Sequence, residues 1–170
     1  MTEQDNIQKV QQLYSYFMRG EIGAMLAECA EDAEWVAHVP TNMVSWGGTY
    51  IGADGGKFFQ LLNEDLEFQE FSPNEFIAQG DRVVTLGHSQ TVRRVNGQAS
   101  KQDWVMVFTL KGGKMCRWDY FDDGAHLAQG DDRQIEGRIM TFDRLGEFLG
   151  RHQGRDQQQA VRPVGLEQIP

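Results

Sequence analysis

G-D-R-V-V-T-L-G-H-S-Q-T-V-R-R-V-N-G-Q-A-S-K-Q-D-W-V-M-V-F-T-L-K-G-G-K-M, residues 80 to 115, decides the fold. Two runs, Arg82 to Val95 and Ala99 to Leu110, are rich in Val, Thr, Phe and Trp and alternate or run apolar, as strands do. They are punctuated by G-D, N-G and G-G, dipeptides that suit the tight turns of antiparallel hairpins. Upstream, Phe68 to Ala78 has the same character, and downstream Lys114 to Phe121 repeats it. Four consecutive strands joined by short turns read as an antiparallel meander.

Working outward, the N-terminal part has a different period. Ile7, Val10, Leu13, Tyr14, Phe17 and Met18 form one helical stripe over residues 5–19 that Gly20 ends. A short second helix is expected over 21–30, with Ile22, Met25, Leu26 and Cys29 on one face. A-E-W-V-A-H-V then reads as a strand stopped by Pro40, and residues 41–56 as a Gly-, Thr- and Ser-rich loop with an extended piece near 49–51. Asp54 is placed to cap a helix over 56–63. Helices followed by a meander give an α+β class, with helices on one face of a curved sheet. The domain is expected to span 1–130. Residues 131–170 read as an extension, with an amphipathic helix near 139–150 and a polar tail containing I-E-G-R at 135–138, a protease recognition sequence also used in expression vectors.

The 170 residues carry a net charge of −9, with Lys and Arg scattered singly, which argues against a nucleic-acid or anionic-membrane surface as the main partner. No apolar run approaches a membrane span, and M-T-E-Q-D-N lacks the pattern of a secretory leader, so a cytoplasmic location is expected. Cys29 and Cys116 are read as separate buried thiols rather than a disulfide. Without CxxC, HExxH or a Cys/His cluster, no metal site and no cofactor is expected. The loop W-G-G-T-Y-I-G-A-D-G-G-K lacks the ending and the βαβ setting of a phosphate loop.

F-M-R-G-E at 17–21, E-D-A-E-W at 31–35, G-G-T-Y-I-G-A-D-G at 47–55, D-W-V-M-V-F-T at 103–109 and G-K-M at 113–115 followed by D-Y-F-D complete the pattern. Together they resemble the SnoaL-like and ketosteroid-isomerase-related proteins of the nuclear transport factor 2-like superfamily, over residues 5 to about 129. The resemblance implies a conical half-barrel, a curved antiparallel sheet whose concave side, roofed by helices, holds an apolar pocket. It also implies homodimers through the sheet. Such folds host isomerases, cyclases, dehydratases, epoxide hydrolases and proteins without chemistry, so fold alone does not give activity.

Within that family, isomerases use a carboxylate base with an oxyanion hole built from a tyrosine and a protonated aspartate. Ungapped counting puts the tyrosine position on Leu13, beside Tyr14, and the base position on Ala37, beside His38, whose imidazole titrates in the range of proton transfer. Asp103 opens an apolar strand where the family places its oxyanion aspartate. R-W-D-Y-F-D at 117–122 resembles the tryptophan-arginine-aspartate run that supplies the base in limonene epoxide hydrolase, with Arg117 and Trp118 exchanged. That enzyme's partner arginine and aspartate fall here on Gly87 and Ser89, which argues against epoxide hydrolysis.

Strand parity groups Met115, Arg117, Asp119 and Phe121 on one face and Trp118 and Tyr120 on the other. Asp119 is expected inward with Arg117 as its ion-pair partner, and Asp122 or Asp123 as a helix cap. Trp35, Trp46 and Phe58 are expected at the pocket. Two readings stand: a cofactor-free acid–base enzyme using Asp119, His38, Asp103 and Tyr14 on a small organic molecule, or a ligand-binding or interaction module. Catalysis requires Asp119, Asp103 and His38 to converge on one small volume.

Overall fold

The computed structural model describes residues 1–122, so the expected boundary near 130, the helix near 139–150, the tail and Asp123 lie outside the described residues. Helix α1 (Glu3–Met18) starts at a capping box in which Thr2 and Asp5 bond each other's backbone N–H. Short α2 (Ile22–Ala27) leads directly into β1 (Cys29–Ala37), which begins earlier than its apolar residues indicate. Strand β2 (Gly48–Ile51) and a single 3₁₀ turn precede α3 (Gly55–Asp65). Asp54 does stand at the start of α3, but its side chain makes no capping hydrogen bond. Strands β3 (Leu66–Gln79), β4 (Arg82–Arg93), β5 (Ala99–Lys111) and β6 (Lys114–Asp122) then form the meander. Asp122 closes β6, where its carboxylate accepts from the Tyr120 hydroxyl at 2.8 Å, and the helix that Asp122 or Asp123 was expected to cap lies outside the described residues.

The six strands form one curved, unclosed sheet in the order β2-β1-β6-β5-β4-β3. The meander is antiparallel, as are β1 and β2, but β1 joins β6 in parallel, so the sheet is mixed. Val10, Leu13 and Tyr14 of α1 and Phe58 and Leu62 of α3 are buried against one face, with Trp35, Trp104, Phe108 and Trp118 of the sheet. Among the described residues no helix is long and apolar enough to cross a membrane. Both cysteines are unpaired; burial pushes the Cys29 thiol up to about 12.

Three bulges in the meander set which of its side chains reach the concave face. In β3 the pairing slips between Phe68 and Glu70 and again between Pro73 and Glu75. Each extra residue resets the alternation, so Phe68, Phe71 and Phe76 all reach the core despite odd spacing. The third lies in β6: Arg117 pairs with Thr109 and Met115 with Leu110, leaving Cys116 as the extra residue. Met115 and Trp118 consequently both face the core, three residues apart.

Candidate functional site: an aromatic cavity

Between the helices and the concave face lies a cavity of about 70 Å³. Leu13, Tyr14 and Phe17 come to it from α1 and Phe58, Phe59 and Leu62 from α3. Trp35 (β1), Trp104, Met106 and Phe108 (β5) and Trp118 and Tyr120 (β6) line the sheet side. The expected pocket residues Trp35, Trp46 and Phe58 all line it, and so does Tyr14. No Asp, Glu, His, Lys or Arg among the described residues does.

Local packing fixes the large rings. Trp46 is held from the loop by its indole N–H, which donates to Asp65 Oδ2 at 3.0 Å. Asp65 is itself clamped by Arg93 Nε and Nη2 at 3.2 and 3.1 Å. Trp104 lies across Gly87: a Cβ there would fall 2.3 Å from the indole and 2.5 Å from the Ser72 carbonyl oxygen, so only glycine allows this placement. Phe71 stacks on the same indole at 5.0 Å and 15°. The Tyr14 hydroxyl donates to Met106 Sδ at 3.2 Å, and burial pushes the phenol far above its usual pKa. Tyr14 is thus a neutral donor with a weak acceptor.

Asp119 and Arg117 do not reach this cavity. Trp118 pairs with Trp35 and Phe108, and Tyr120 with Ala37 and Met106; these rows face the cavity. Asp119 sits in the intervening row with Val36 and Val107, on the opposite face. The expectation that Asp119 is inward is corrected, and the reason is visible in the motif. In the epoxide hydrolase pattern the tryptophan stands two residues before the aspartate and shares its face. Here Trp118 immediately precedes Asp119, and alternation separates them. Met115 leaves the expected group because of the Cys116 bulge.

On that outer face a charged cluster forms. Asp119, whose side chain is 3% exposed, takes 2.8 Å hydrogen bonds from His38 Nε2, Arg117 Nε and Arg117 Nη2. Arg117 Nη1 also bonds Glu34. The His38 ring lies flat on Phe121, 4.3 Å between centroids. Burial of Asp119 opposes ionisation, but the bonds from His38 and Arg117 outweigh it and hold the carboxyl below its usual range. Arg117 is correspondingly held more basic by Asp119. The expected Arg117–Asp119 pair is therefore formed, on the other side of the sheet.

Asp103 is exposed and pairs with His88 on the outer face, four residues along β5 from Val107, about 13 Å from the Asp119 row. It lacks the apolar surroundings expected of an oxyanion aspartate. His38 and Asp119 meet, Tyr14 lies across the sheet from them, and Asp103 stands apart. Two polar cavity residues take the place of these acids: Ser89 on β4 and Gln102 on β5, directly paired and 2% and 6% exposed. Ser89 was legible by parity as inward. Gln102 was legible too, since it shares alternation with Trp104, Met106 and Phe108, and the same count puts Asp103 outward. Among the described residues no group of three or more His, Cys, Asp or Glu side chains is placed to hold a metal ion.

Beside the cavity is an open groove of about 770 Å³ bounded by the end of α1, α3 and β3. Phe17, Phe59, Phe68 and Phe71 border both spaces. They are partly buried, and Phe17 contacts the other three with centroids 5.0–6.0 Å apart.

The SnoaL-like domain matches residues 10–118, from α1 to β6. The chain belongs to the SnoaL-like family. Among solved structures, this SnoaL-like protein is similar to an NTF2-like protein from Burkholderia xenovorans: 29% identity, 75% of this chain and 96% of that one, TM-score 0.68. It is similar to an NTF2-like protein of unknown function from Burkholderia pseudomallei, at 28% identity over 75% and 95% of the two chains, TM-score 0.67. TerC, co-crystallized with polyporic acid, is 30% identical over 70% of this chain and 92% of its own, TM-score 0.64. No curated protein matches the sequence. The half-barrel with helices on its concave side is thus the NTF2-like fold.

Proposed function

We propose that this SnoaL-like protein binds a small, uncharged, apolar organic molecule in the aromatic cavity. The observation that carries the reading is the lining: four tryptophans, three side chains of α1 and the rings of α3 surround the space, and no ionised group among the described residues enters it. Co-crystallization of the 30% identical TerC with an organic molecule supports ligand binding by this fold. Acid–base catalysis in the cavity is disfavoured, because both candidate bases, Asp119 and His38, meet behind the sheet and Asp103 does not converge with them. The alternative reading, an acid–base enzyme, rests on the 2.8 Å contact between His38 and Asp119 and requires a substrate at the outer face.

Thermal denaturation against a panel of neutral aromatic compounds tests the first reading. A binder present at a hundred times its Kd stabilises by about 2.7 kcal/mol. Tryptophan fluorescence should change with the same Kd. A panel in which no compound raises Tm or perturbs the tryptophans overturns it. The enzyme reading requires turnover that His38→Gln abolishes while the fold persists.

A further inference from the structure

The cavity is not uniformly apolar, and its polar atoms are underused. The Trp104 indole N–H is fully buried without a partner. No side-chain hydrogen bond ties the Ser89 hydroxyl to a described residue, although Ser89 is 2% exposed. Gln102 has only long contacts, donating to Thr91 Oγ1 and accepting from Ser100 Oγ, both at 3.4 Å. Buried polar groups are ordinarily paired, because leaving one unpaired forfeits its hydration. Sheet register brings these three together. Ser89 pairs with Gln102 and Gly87 with Trp104, so the three side chains stand on adjacent rungs of the concave face and all line the cavity. The other lining indole without a partner, Trp35 Nε1, is packed against Gly55: a Cβ there would lie 2.5 Å from it.

We propose that Ser89, Gln102 and Trp104 form a neutral hydrogen-bonding subsite that recognises an uncharged hydroxyl or carbonyl oxygen on a flat apolar ligand. The proposal deepens the ligand-binding reading and rests on it. The chemistry selects the oxygen's type. Trp104 only donates, while Ser89 and Gln102 donate and accept, so a carbonyl oxygen can accept from two of these donors and a hydroxyl can also donate to Ser89 or Gln102. A carboxylate does not suit it, since no cation among the described residues lines the cavity: Arg117 is behind the sheet on Asp119, and Arg93 is bound to Asp65. Burying an unpaired charge there is strongly unfavourable. The Gln102 amide and Ser89 hydroxyl then act as specificity determinants and the rings as the apolar platform.

The test compares phenol, toluene and benzoate on the full chain by calorimetry and by the Trp104 indole N–H resonance, assigned with Trp104→Phe. A dry apolar cavity prefers toluene over phenol by roughly tenfold, because the hydroxyl loses its hydration. The subsite predicts that phenol binds at least as tightly as toluene, shifts the Trp104 N–H signal, and exceeds benzoate. In the Ser89→Ala, Gln102→Leu double variant the order should revert, with toluene binding tighter than phenol. If wild-type toluene binds about tenfold tighter than phenol, the subsite is overturned and the cavity reading stands. Benzoate binding tighter than phenol also overturns it. If none of the three binds, both readings fall. The wild-type order decides the matter even where the double variant does not fold.

Discussion

Asp119→Asn separates the two faces of the sheet experimentally. Asp119 accepts three hydrogen bonds at 2.8 Å, one from His38 Nε2 and two from Arg117. The amide keeps one acceptor oxygen but turns an NH₂ group toward one of those donors. At least one charge-assisted bond, about 1.5–3 kcal/mol, is lost, and an opposed pair of donors is created. Arg117 is 30% exposed and keeps Glu34, which moderates the loss, so about 2–4 kcal/mol of destabilisation is expected. At about 4 °C per kcal/mol for a domain of this size, Tm should fall by about 8–16 °C.

The pH dependence has a definite sign. The Asp119 carboxyl is held below its usual range, so its contribution is complete above about pH 4 and is lost as pH falls through its folded-state value. The gap between wild type and variant should close as pH falls below 4. Toluene binding, measured well below the variant's Tm, should be unchanged. A variant that keeps its Tm yet loses toluene binding would show Asp119 facing the cavity and refute the strand assignment.

Gly87→Ala places a Cβ 2.3 Å from the Trp104 ring and 2.5 Å from a backbone oxygen. The indole must leave its position, costing about 1–3 kcal/mol or more by urea denaturation and abolishing ligand-induced shifts of the Trp104 resonance. Asp65→Ala strips Trp46 of its partner and leaves Arg93 unpaired; about 2–3 kcal/mol should be lost, with Asp65→Asn recovering part of it in the same assay. Cys29, buried with its thiol pushed up to about 12, should stay unlabelled by a disulfide reagent at pH 8 in native protein and react once unfolded.

The meander was legible because each turn is marked by its own dipeptide; Gly97 of N-G, for example, adopts φ +69°, where glycine is at ease. Helices α1 and α3 were legible from their stripes. What alternation could not supply was the bulges. A parity count is valid only between bulges, and nothing in K-M-C-R-W marks Cys116 as the unpaired residue. Met115 was therefore grouped with Asp119, when the two face opposite sides. Asp103 is a different kind of error. No bulge separates it from Trp104, so burial of that tryptophan already requires its neighbour to point outward, whatever position the family likeness suggests. The parallel pairing of β1 with β6, which brings His38 to Asp119, is a contact between residues 81 apart that no local pattern announces.

The size of the cavity adds one more constraint. At about 70 Å³ it is roughly half of an engineered cavity of about 150 Å³ that admits benzene, so any ring must push its walls apart. The sheet side cannot yield easily, being hydrogen-bonded on every strand and backed by the Asp119 cluster. The side toward the open groove can: Phe17, Phe59, Phe68 and Phe71 are only partly buried, and ring rotation costs them little packing. Binding should then be limited by displacement of these rings rather than by encounter. Phe17, which touches the other three, is the residue to remove. Phe17→Ala should lose about 1–3 kcal/mol of stability, less than a fully buried Phe. It should raise the association rate of phenol about tenfold in stopped-flow tryptophan fluorescence, and extend binding to 2-naphthol. An association rate equal to that of wild type would place the entrance elsewhere, because a path through this wall cannot be indifferent to the loss of its central ring.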